Sequence, residues 1–192
     1  MAQTLFTAAA HAAGPAQRAR QAGLVLLGTG LLALSAQVSI PMVPVPISME
    51  TFAVVMVGAF YGWRLGGITI LAWLLEGALG LPVLANGTGG LIHFIGPTAG
   101  YLFSFPLIGA LAGWLTARGC DGAHPLRAFA AMLLATTLCL LLGAAWLAVL
   151  AGPAVAWHSG VMPFLVGDIV KSALAAATLA SWHSVSTRKG RA

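Results

Sequence analysis

Six apolar stretches run along the chain, at about residues 22–38, 51–61, 65–79, 98–117, 126–150 and 162–182. Each is continuous. None alternates apolar and polar positions as a transmembrane β-strand does. Backbone in lipid has no water to bond, so a spanning segment must satisfy its own N–H and C=O groups, and a helix does this internally. A span needs roughly 20 apolar residues, and 192 residues leave room for six with short connections. The pattern predicts an all-α membrane protein, a six-transmembrane-helix bundle forming a single integral membrane domain over 1–192. The second stretch is short for a span.

The polar positions between the stretches supply a test. Arg18 and Arg20 precede the first stretch, and Arg64 separates the second from the third. Arg118 and Arg127 flank the fourth–fifth connection, and Arg188, Lys189 and Arg191 follow the sixth. The other three connections carry no Lys or Arg, so eight of the nine basic residues fall on one side. By the positive-inside rule both termini are expected to be cytoplasmic, with 1–20 a cytoplasmic N-terminal segment and 184–192 a basic cytoplasmic tail. The first apolar run follows Arg18 and Arg20 without a compact signal-peptide core, so it is expected to be a retained span.

Composition narrows the class further. Hydrophobic residues make up 59% of the chain and charged residues 7%, against about 25% charged in soluble domains. That excludes a water-soluble enzyme. The formal charge of +5 comes from basic residues scattered singly between apolar runs, which assemble no groove for nucleic acid. Cys120 in a basic loop and Cys139 in an apolar run are expected at different depths, unpaired. No ligand spacing points to a metal or a resident cofactor. There is no Walker A sequence, so the chain is not its own ATPase by that route, and no GxSxG or HExxH appears.

The acids and the ninth basic residue stand out instead. Glu50, Glu76, Asp168 and Lys171 fall in or near the membrane, where an ionisable group costs about 2.5–3.5 kcal/mol at mid-depth. Asp168 and Lys171 are three apart, hence on one helix face. Counted from Met162 they lie about 9 and 13 Å down the last helix. They form either a packing pair or a ligand site. Residues 40–50 (IPMVPVPISME) hold three prolines and are expected to be extended. Residues 80–97 (GLPVLANGTGGLIHFIGP) form a long, Gly-rich, apolar connection, expected to fold back into the bundle. Within it Asn86 serves either a left-handed turn or a polar ligand. Gly96, Gly100 and Ser104, and then Gly109, Gly113 and Ala117, form two runs at four-residue spacing, which suits close helix packing. Thr29 and Ala33 give the first helix a small-residue face that serves either internal packing or the docking of another membrane subunit.

Several ordered segments resemble the BioY family, the biotin-binding specificity subunits (S components) of energy-coupling factor (ECF) transporters. They are Pro44-Val45-Pro46-Ile47-Ser48 with Thr51-Phe52, Gly80-Leu81-Pro82-Val83, Gly89-Gly90, Gly96-Pro97-Thr98 with Gly100-Tyr101, and Gly167-Asp168 with Lys171. The resemblance implies an S-component-like bundle in the bacterial cytoplasmic membrane, holding biotin near its outer face. It implies Asp168, Lys171 and Asn86 as polar contacts, with Tyr101, Phe52 and Phe164 as apolar lining. It implies a transmembrane coupling subunit and ABC-type ATPases as partners, and a possible homo-oligomer where the chain works alone. Two other functions fit the residues: an S component for another vitamin, and a small intramembrane enzyme using Asp168 and Glu76 as acid and base.

Overall fold

The computed structural model describes residues 14–189; the expectations for 1–13 and 190–192, which include part of each terminal segment, lie outside the described residues. The chain begins with α1 (Pro15–Gln37), its proline in the first helical turn where a missing N–H costs nothing. A two-stranded antiparallel ribbon follows, β1 (Ser39–Ile40) against β2 (Ile47–Ser48), with Ser39 opposite Ser48. The expected extended segment is therefore this ribbon and its proline-bearing loop. Next come α2 (Glu50–Ala78), α3 (Ala99–Ala117) and α4 (Pro125–Ala151). A short turn α5 (Pro153–Val155) and a π-helical turn (Ala156–Val161) then lead into α6 (Met162–Lys189).

Among the described residues five helices are long and apolar enough to cross a membrane, and their outward faces carry exposed Leu, Val and Ile as a lipid-facing surface requires. The second and third apolar stretches both fall in α2, whose helical geometry breaks at Gly62 (φ 77°, ψ 167°). A Cβ added to Gly66 would lie 2.9 Å from the Cα of Gly58. Eight residues along a straight helix separate backbones by about 12 Å, so the chain doubles back at Gly62. Only glycine adopts that φ at low cost.

Close backbone approach holds the bundle together. A Cβ on Gly58 would collide with the Gly109 carbonyl, and one on Gly113 would meet the Gly58 carbonyl and the Trp63 nitrogen. The four-residue repeat of small side chains in α3 thus serves internal packing, as in membrane bundles generally. The small-residue face of α1 also meets the bundle. Thr29 is 4% exposed and points into the bundle, and Ala33 packs against the core. Leu26, Leu27, Leu31 and Leu34 are what α1 offers to the lipid.

The last helix differs from expectation at both ends. Polar His158, Ser159 and Gly160 read as loop, but the π turn continues the helical path from Pro153 almost without interruption. At the other end α6 runs through Lys189, past the expected limit near 182.

The Gly58–Gly109 contact generates a prediction. Gly58→Val should lower the thermal unfolding midpoint of the detergent-solubilised protein, through overpacking of about 1–3 kcal/mol. Gly30→Ala on the open face of α1, where nothing lies within 4 Å, should not lower the midpoint, since alanine is the better helix former.

Candidate functional site

At the end of the bundle opposite Gly62, the ribbon, residues 80–97 and the helices enclose a cavity of about 410 Å³. Ligand pockets for small molecules run from about 300 to 1,000 Å³. The long connection is fixed over it by several bonds. Trp73, fully buried on α2, donates its indole N–H to the Val83 carbonyl (2.9 Å) and stacks on Phe105. Gly90 N–H donates to the Gly77 carbonyl (2.7 Å), and Trp146 Nε1 donates to the Gly96 carbonyl (3.0 Å). Leu84 is buried among the helices beneath. The connection is thus folded back into the bundle, through two short 3₁₀ turns, Ala85–Gly87 and Leu91–Phe94.

The polar floor comes from α6. Asp168 and Lys171 are 5% and 6% exposed, and Lys171 Nζ lies 3.2 Å from Asp168 Oδ1. The ammonium also donates to Thr51 Oγ1 (2.8 Å) and to the Ser48 carbonyl (3.4 Å). An ammonium has three N–H donors, so these three acceptors fully occupy it. Lys171 therefore ties α6 to the start of α2 and to β2 while holding Asp168 in place. Glu50 lines the cavity beside it and is 6% exposed. Its Oε2 accepts from Ser48 Oγ (2.9 Å), and its Oε1 has no hydrogen-bond partner among the described residues.

Asn86 reaches the cavity from the connection above. Asn86 takes the left-handed turn, with φ +59°, and its side-chain oxygen accepts from Ser39 Oγ (2.8 Å). With the oxygen engaged, the amide N–H groups are its remaining donors. Tyr101 and Phe164 stack at 6.0 Å between ring centres and line an apolar wall. The Tyr101 hydroxyl is spent on the Gly160 carbonyl (2.8 Å). Phe105 and Leu140 extend that wall.

Of the residues expected in the site, the structure brings together Asp168, Lys171, Asn86, Tyr101 and Phe164. Phe52 is the exception: it packs against the core and does not line the cavity. Neighbouring residues in a helix point about 100° apart, and at this turn Thr51 faces inward. Glu76 is half-buried on α2 and does not line the cavity either, so it forms no acid–base couple with Asp168. Ser48 and Thr51 escaped sequence reading because their bonds to Lys171 join residues 120 or more apart. Thr136 of α4, also a lining residue, bonds Ser172 (3.1 Å) below the pair.

Fold and cavity together define a multi-pass membrane protein with a partly enclosed, mostly apolar chamber above a buried ionic floor. The chain belongs to the BioY family, whose profile matches residues 5–188. A probable biotin transporter BioY of Pyrococcus horikoshii is 37% identical over 158 residues, covering 82% of this chain and 93% of its own length. The biotin transporter BioY of Rhizobium etli is 36% identical over 159 residues, covering 79% and 83%. The crystal structure of the S-component for biotin from an ECF-type ABC transporter has the same fold, with a TM-score of 0.80 at 24% identity over 90% of this chain and 95% of that one. The family is one of transporters, not enzymes.

The Trp73 bond generates a prediction. Trp73→Phe keeps the stacking on Phe105 but leaves the Val83 carbonyl without its donor, a loss of about 1–3 kcal/mol when buried. Hydrogen–deuterium exchange of the amides in 83–90 should accelerate by about tenfold or more. The same measurement on Trp182→Phe, at an exposed position, should show no change there.

Proposed function

We propose that this chain captures biotin as the specificity subunit of an ECF-type transporter of the bacterial cytoplasmic membrane. In this reading the two arms of α2 count as separate spans, giving six. Both termini face the cytoplasm, as the placement of Arg64, Arg118 and Arg127 supports. The cavity then opens from the outer side. Biotin is the transported ligand rather than a cofactor. The partners are a transmembrane coupling subunit and ABC-type ATPases, which would supply the energy this chain has no Walker A motif to obtain. Surrounding lipid completes the environment, and a chain acting without those partners would associate with copies of itself.

The observation that carries the reading is the match between the cavity's hydrogen-bonding groups and a cyclic urea. A ureido ring offers two N–H donors and a carbonyl acceptor. Asp168 keeps acceptor capacity after its bond to Lys171, and Asn86 keeps amide donors after its bond to Ser39. The thiophane ring and valeryl chain suit the wall of Tyr101, Phe105, Leu140 and Phe164. Lys171 acts through Asp168, by fixing the carboxylate and closing α6 against Ser48 and Thr51. A second vitamin with a similar donor and acceptor set is the competing ligand, and competition binding separates the two.

Asp168→Asn and Lys171→Ala should each abolish high-affinity binding of labelled biotin by the purified protein, while insertion into the membrane persists. Hydrogen bonds to charged groups contribute about 1.5–3 kcal/mol each, so at least about 10- to 100-fold should be lost. Asn86→Leu should weaken binding by less, because it removes a neutral donor. Binding like that of the wild type in all three variants would defeat this assignment.

A further inference from the structure

Far from the cavity, beside the Gly62 turn, an open groove of about 380 Å³ is lined by Trp63, Leu107, Ala110, Leu111 and Trp114. Its two tryptophans leave neighbouring backbone: a Cβ on Gly113 would meet the Trp63 nitrogen at 2.6 Å. Trp63 and Trp114 remain 50% and 41% exposed. The guanidinium of Arg64 sits 4.7 Å above the Trp63 ring, and that of Arg118 sits 3.9 Å above the Trp114 ring. Both arginines are exposed, and neither has a carboxylate partner among the described residues.

From Leu107 to Trp114 the groove follows two turns of α3, about 10 Å. One end is wholly aliphatic. The other holds two uncompensated cations on aromatic rings, the residue types that settle at the membrane–water interface. A lone acyl chain would use the first end and leave the cations unanswered. A free anion would use the cations and leave the slot empty. An amphiphile with a phosphate head answers both. Basic sites at the same level between transmembrane helices attract anionic head groups generally.

We propose that this groove is a binding site for one anionic phospholipid, its phosphate between Arg64 and Arg118 and one acyl chain running past the tryptophans along Leu107, Ala110 and Leu111. The test uses the full chain, stripped of lipid in detergent and titrated with dioleoyl phosphatidylglycerol or dioleoyl phosphatidylcholine. Native mass spectrometry reads occupancy, and thermal unfolding reads stabilisation. Phosphatidylglycerol should bind preferentially, and an Arg64→Gln/Arg118→Gln double variant should reduce that preference by about 10- to 30-fold. The Arg64→Lys/Arg118→Lys variant should keep most of the preference, because an ammonium also pairs with phosphate. A photo-crosslinking phosphatidylglycerol should label residues 107–114. Equal binding of both lipids, a preference that survives the double Gln variant, or labelling elsewhere would overturn the proposal. So would burial of this face in a dimer seen at the same lipid-free concentration.

Discussion

One ion pair governs this molecule. Asp168 and Lys171 sit on a helix in the membrane with almost no exposure. A charge in that setting persists only where partners replace water. The ammonium finds three acceptors on three segments: its own helix, the first turn of α2, and the strand before it. The ribbon, the kinked helix and the last helix are therefore positioned by one nitrogen. The carboxylate is left facing a chamber with acceptor capacity in hand. The bonds that hold the bundle end together also aim the carboxylate into the chamber.

The chamber exists because backbone packs tightly elsewhere. Gly58, Gly109 and Gly113 let the two arms of α2 sit directly on α3. That leaves bulk to accumulate at the other end, where Tyr101, Phe105 and Phe164 form the wall. Trp73 then acts as a post, buried in the core at its ring and bonded to the covering connection at its nitrogen. The connection is long because it must cross the whole chamber and still return bonds to α2 and α4.

Much of this was legible in the amino-acid order. Continuous apolar runs located the spanning segments though not the ends of α1 and α6, and the i, i+3 spacing put Asp168 and Lys171 on one face. What escaped was whatever depends on the angle around a helix or on contacts between distant segments. Hydropathy does not show that Thr51 rather than Phe52 faces the cavity at the first turn of α2, nor that Thr29 turns inward. Gly62 lies in the gap between two runs, yet its positive φ folds them back on each other as one element. His158 and Ser159 carry loop-like polarity, but the π turn absorbs them into the approach to α6. The occupation of Lys171 by Ser48 and Thr51 joins residues more than a hundred apart, and no local pattern reports such a pairing.

The central claim is that the buried carboxylate, its ammonium support and the amide above form a receptor for a cyclic urea on an apolar tail. Its most direct test is the chemical identity of the small molecule that accompanies the purified protein. The protein would be expressed in cells grown with biotin, purified in mild detergent, denatured and analysed by liquid chromatography–mass spectrometry. The account predicts biotin, released in near-stoichiometric amount. A different vitamin in that amount, with biotin absent, would contradict it.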